Sequence, residues 1–161
     1  MARKSYSEQE REQVKEALMA TVLQCIVDRG LIHSSIETLC QKVGISKTFF
    51  YSLFASKEEL VCQALRYQQP RLLNYARQLM KDPSLSWRAG VETFLKNCCY
   101  GAKNGVAVLS IEEEQQVYRC LSETNFQAFR RDQIVFYVKL LSIFGLPVDS
   151  IDPRLFGNLA L

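Results

Sequence analysis

Turn formers are scarce in this chain. Seven glycines and four prolines among 161 residues come to about 7%, against roughly 12% in average usage. So few breaks exclude a many-stranded sandwich or barrel and point to helices with few connections. The one histidine, His33, has no paired carboxylate or glycine-flanked nucleophile to form a triad, and no glycine-rich loop could cradle a phosphate. Enzyme chemistry is not expected, and no cofactor is implied. The longest unbroken apolar run, Ile134 to Val138, is far short of the roughly 20 residues that span a bilayer. The opening Met1-Ala-Arg-Lys runs into polar residues with no signal-peptide h-region, so a cytoplasmic location without a membrane partner is expected.

What is present is an ordinary globular composition, 48% hydrophobic and 23% charged, in a length that fits one domain or a small module joined to a larger one. The six cysteines, Cys25, Cys40, Cys62, Cys98, Cys99 and Cys120, read as reduced thiols, four of them as small core hydrophobes. Their only close pair is adjacent in sequence, which is not ligand spacing, so no metal site is expected.

Serines followed three residues later by glutamate punctuate the chain as capping boxes. Ser7-Glu-Gln-Glu10 predicts a long helix whose stripe of Val14, Leu18, Val22, Cys25 and Ile26 ends near Gly30. Ser34-Ser-Ile-Glu37 opens a short helix reaching Gly44, Ser46 caps the next, and Ser56-Lys-Glu-Glu59 starts another. The three-residue connection Gly44-Ile45-Ser46 between two short helices, behind a longer one, predicts a helix-turn-helix. An ordinary helical hairpin would give the same pattern.

Beyond Glu58 the helices lengthen. Pro70 is expected to kink or break the pattern from Leu65 to Leu79. Asp82 to Ser86 reads as a turn, Trp87 to Tyr100 as a helix, and Gly101 to Gly105 as a break. Ser110-Ile-Glu-Glu113 caps a long helical stretch to Phe144, with a bend near Ser122 left open, and Asp152-Pro153 begins a further helix.

The run from Ser34 to Leu60 resembles the DNA-binding segment of the TetR (tetracycline-repressor) family. Ser34 and Ser35 stand where the family opens its second helix, Gly44-Ile45-Ser46 matches its turn, and Phe50-Tyr51, Phe54 and Ser56-Lys57-Glu58 before Leu60 keep its spacing. The chain departs from the pattern at Thr48 and Phe49, where Gly and a small or polar residue are common, and at Leu53, where a histidine is common.

The resemblance implies an all-α protein: a three-helix helix-turn-helix head over residues 1–57 and a helical-bundle body over 58–161 that binds an effector and dimerises. It implies a ligand-responsive transcriptional regulator, in most relatives a repressor released from a palindromic double-stranded DNA operator by a small molecule. The DNA-facing residues expected are Ser34, Ser35, Ser46, Lys47, Thr48, Phe49, Tyr51 and Lys57. Through Lys57, eight Lys/Arg against six Asp/Glu leave the head only weakly basic, so affinity must come from placed contacts. Lys47 and Lys57 are assigned to phosphates, Arg3 and Lys4 to a flexible arm, and the Tyr51 hydroxyl to a phosphate; Phe49 is expected to project outward, where it could meet thymine methyls. Phe50 and Phe54, four apart, are assigned to the core.

In the body, Phe94, Cys98, Phe129 and Phe136 are the candidate ligand-binding residues, and its aromatics point to an apolar or aromatic effector, although such a stripe also describes a packed core. The helix begun at Asp152-Pro153 carries Leu155, Phe156, Leu159 and Leu161 with no cap after them. The expectation is a body truncated at its C-terminus, with the homodimer interface on C-terminal helices that continue beyond it. A competing reading is a helical ligand-binding or protein-interaction module that no longer reads DNA.

Overall fold

A computed structural model describes residues 6–99 and 101–148. It holds seven α-helices: α1 (Glu8–Arg29), α2 (Ile36–Val43), α3 (Lys47–Tyr51), α4 (Lys57–Lys81), α5 (Trp87–Cys99), α6 (Ile111–Cys120) and α7 (Glu123–Ile143). Short 3-10 turns cover Leu31–His33 and Gly101–Asn104, and no strand occurs among the described residues. The all-α expectation holds. Arg3, Lys4, Tyr100 and the helix expected from Asp152 lie outside the described residues.

The serine caps explain where most helices start. Ser7 Oγ accepts from the Glu10 N–H while Glu10 Oε2 accepts from the Ser7 N–H at 2.7 Å, and Ser110 and Glu113 repeat this reciprocal pair before α6. Ser46 and Ser56 accept from the N–H groups of Phe49 and Glu59, both at 3.1 Å. Each bond satisfies a first-turn donor that the helix itself cannot pair.

The second cap is shifted by one residue from its expected place. The 3-10 turn at Leu31 draws Ser34 into the interior, where its hydroxyl donates to the Leu31 carbonyl at 2.7 Å and the residue is fully buried. Ser35 takes the cap instead, accepting from the Thr38 N–H at 3.1 Å. Ser34 therefore has no surface from which to touch DNA, which corrects its assignment. Glu37 falls outside any capping box and is left to other partners.

Two further points concern breaks, one a difference and one a question the sequence leaves open. Helix α4 runs uninterrupted through Pro70, which is exposed, for 25 residues, or about 37 Å at 1.5 Å per residue. The stretch from Ile111 to Phe144, in contrast, is interrupted: Leu121 and Ser122 are both extended, and Ser122 caps α7 through the Asn125 N–H.

Helix α4 packs against α1 at one end and against α5 and α7 along the rest. One core joins Leu18 and Val22 of α1 to Leu39, Phe50, Phe54, Leu60 and Val61, and continues into the body through Ala64, Val117 and Phe129. A second core groups Leu73, Ala76, Phe94, Leu140 and Phe144. Cys25, Cys40 and Cys62 are buried in the first, Cys98 is half-buried and Cys120 exposed.

Candidate nucleic-acid interface and body cavity

The turn between α2 and α3 is made possible by Gly44, whose φ of 76° and ψ of 35° lie in the left-handed region, open to glycine without penalty. Its N–H and that of Ile45 both donate to the Cys40 carbonyl. This fixes the angle at which α3 leaves. Phe50, at 0% exposure, and Phe54 plant α3 in the core with ring centroids 5.8 Å apart. The other side of α3 is thereby turned outward, and Ser46, Lys47, Thr48 and Tyr51 are exposed.

A cleft of about 460 Å3 gathers four of the expected residues: Ser35, Lys47, Tyr51 and Lys57 border it, together with Ser56. Here the first turns of α2 and α4 face the same space as two lysines and a phenol, groups that can receive a phosphate, although Glu37 and Glu58 border the cleft as well and balance the two cations. Lys47 Nζ lies 3.2 Å from Glu37 Oε2 in a surface pair. Such exposed pairs contribute about 0–1 kcal/mol, so the lysine can exchange this partner for a phosphate at little loss.

Phe49 is not the free outward ring expected. It is half-buried, stacked on Tyr6 with centroids 3.8 Å apart and planes 14° from parallel, and the Arg11 guanidinium lies 5.6 Å from its centroid. Arg11 also donates to the Ser52 carbonyl at 2.8 Å. The start of α1 thus closes over Phe49 and binds the end of α3. Tyr6, Arg11 and Glu37 were missed from the sequence because their partners are 43, 41 and 10 residues away along the chain.

In the body, a cavity of about 410 Å3 opens between α4, α5, α6, α7 and the segment from Val106 to Leu109. Phe94, Cys98, Phe129 and Phe136 all border it. Gln68, 8% exposed, clamps one wall by donating to the Ala107 carbonyl at 2.8 Å and accepting from the Ala107 N–H. Tyr118 donates its hydroxyl to Glu114 Oε1 at 2.5 Å. Burial, and then its bond to Glu114, pushes the Tyr118 phenol far above the ordinary tyrosine value; burial and the Glu114 charge raise that of Tyr137. Both keep their protons, and their hydroxyls, at neutral pH. Glu114 and Tyr118 stand four residues apart on α6, the spacing at which helix side chains meet, and that spacing is visible in the sequence.

Head and body are joined by a carboxylate. Glu113, which closes the cap of α6, also accepts from the Leu31 N–H through Oε1 at 2.6 Å. Among the described residues no cluster of His, Cys, Asp or Glu could hold a metal ion, and no helix is long and apolar enough to cross a membrane.

A helix-turn-helix head joined by one long helix to a helical body is the TetR-like fold, and the comparisons with solved structures agree on that fold. The chain superposes on the crystal structure of E. coli NemR in its reduced form with a TM-score of 0.52 and 19% identity, covering 91% of this chain and 82% of that one. It superposes on a TetR transcriptional regulator from Legionella pneumophila with a TM-score of 0.52 and 15% identity, covering 98% and 81%. Among curated proteins it is 26% identical over 119 residues to the HTH-type transcriptional activator FasR of Mycolicibacterium smegmatis. That alignment takes in 72% of this chain and 48% of FasR, so the chain spans about half the length of that relative. No family model matches the sequence.

Proposed function

We propose that this protein is a cytoplasmic, DNA-binding transcriptional regulator and not an enzyme, with residues 1–57 as its DNA-binding head and the remainder as its effector-binding and dimerisation body. The observation that carries the reading is the convergence of Ser35, Lys47, Tyr51 and Lys57 on one cleft at the helix-turn-helix. The similarity to named transcriptional regulators supports it. As a homodimer associating through C-terminal helices, it would set two α3 helices about one DNA turn, roughly 34 Å, apart on a palindromic operator.

The effector is a small apolar or aromatic molecule held in the body cavity among Phe94, Cys98, Phe129 and Phe136. Acting as a repressor, the protein leaves its operator when that cavity fills, through a coupling of typically 1–3 kcal/mol between cavity and head. The bond from Glu113 on α6 to Leu31 gives that coupling a physical contact. The test is an electrophoretic shift with the DNA upstream of its own gene. Retardation that an unrelated duplex cannot compete away is expected, whereas equal competition by both would leave only a helical module that does not read DNA.

A further inference from the structure

We infer that the body cavity selects an organic cation, an ammonium carried on an apolar or aromatic frame; this rests on the reading of that cavity as the effector site. The charge of its lining is one-sided. Among the described residues that border it, Glu114 is the only acidic side chain, and no lysine, arginine or histidine is present. Three cations on the surrounding helices have contacts elsewhere. Arg66 pairs with Asp132 at 2.5 Å, Arg71 donates to the Gly105 carbonyl, and Arg130 lies 5.7 Å from the Phe126 centroid.

The cavity that Glu114 borders is also lined by Phe94, Phe129, Phe136, Tyr118 and Tyr137, with Tyr118 bonded to the carboxylate. Aromatic faces attract cations through their quadrupole, each contact being worth a few-fold to about tenfold in affinity. A carboxylate half-removed from water in such a cavity has, among the described residues, the Tyr118 hydroxyl as its donor, and gains most from a ligand that brings positive charge together with apolar surface. An anion of the same frame would meet the Glu114 charge with nothing to offset it. Of the three acids that follow Ser110, Glu112 is exposed and Glu113 serves the cap and Leu31, so Glu114 is the one that faces the cavity.

Calorimetric titration of the protein with phenylbutylammonium, phenylbutanol and phenylbutyrate, matched in frame and differing in charge, tests this directly. The ammonium should bind about tenfold or more tighter than the alcohol, with the carboxylate weakest. Glu114→Gln, checked for folding by its melting curve, should bring the ammonium to the affinity of the alcohol and leave the alcohol within about twofold. Tyr118→Phe, which keeps the carboxylate, should retain the preference for the cation. Tightest binding of the alcohol or of phenylbutyrate overturns the inference, as does a cation preference that survives in a folded Glu114→Gln. Binding of none of the three overturns the effector-site reading along with it.

Discussion

In the head, Phe50 and Phe54 are wholly enclosed by Leu18, Leu39 and Leu60, whereas in the body Phe136 and Tyr118 stand half-buried around a cavity of about 410 Å3. Both regions are built from helices that bury one apolar face. The head has three short connections and packs solid, so its rings hold the geometry of an outward surface. The body leaves space between α4, α5, α6 and α7, so its rings form a surface that points inward. Phe50 and Phe54 therefore anchor structure in the head, whereas in the body Phe94, Phe129 and Phe144 are buried anchors and the half-buried Phe136 adds wall area to the cavity.

That contrast is most directly broken by truncating one ring from each region. Phe50→Ala should destabilise the protein by about 3–5 kcal/mol, the range for deleting an aromatic from a packed core. Phe136→Ala, at a half-buried wall where space already exists, should cost less than about 2 kcal/mol and alter ligand affinity instead. Denaturant melts of the two variants give the comparison, and equal losses would mean that the body is packed as tightly as the head.

The outward surface is sharpened by Lys57→Ala. Binding to operator and to unrelated DNA should weaken together, and the log-log salt slope should flatten by roughly 0.9 for every phosphate that each subunit no longer neutralises. An unchanged slope would remove Lys57 from the interface. Phe49→Ala should act differently. Because its ring is stacked on Tyr6, its removal should lower stability by about 0.5–1.5 kcal/mol, read as a fall in Tm. A variant with unchanged Tm and altered base preference would restore Phe49 to the role of a base-reading residue.

The last prediction concerns alkaline pH and vanishes at neutrality. Burial, opposed by Arg66 and reinforced by Glu58 and Glu59, pushes the Cys62 thiol from 9.0 up to about 12. The folded state thus favours the protonated thiol: its contribution is complete below pH 9 and is lost as the unfolded thiol ionises while the folded one does not. Tm should fall with rising pH between about 9 and 12 more steeply in the native protein than in Cys62→Ala. Parallel curves would refute this.

Much of the head could be read from sequence because its signals are local. Ser7, Ser46 and Ser56 each sit three residues from the N–H they cap, and Gly44 marks the one left-handed position of the turn. Where two candidates adjoined, as with Ser34 and Ser35, the choice was made by the 3-10 turn before them, whose hydrogen bond to Leu31 has no distinct sequence signature. The Phe49 stack depends on Tyr6, and nothing in the α3 sequence announces a ring arriving from the start of α1.

The four cavity residues proposed from sequence do meet in space, since large apolar side chains at helical spacing have to face inward somewhere. The polar partners that give the cavity its character, Gln68, Glu114 and Tyr118, carry no such apolar periodicity. Gln68 is bound to the backbone of Ala107, 39 residues away, and no periodicity links the two.

The continuity of the first core through Leu60, Val61 and Ala64 bears on how such a protein can be recombined. A chimaera spliced at residue 57 would carry Phe50 and Phe54 away from side chains that seal them, all three at 0% exposure in the intact chain, and would expose the cut faces of both donors. The transferable unit is therefore longer than the helix-turn-helix: it includes the first two turns of α4, and an exchange of heads that respects this junction moves the recognition surface together with its foundation.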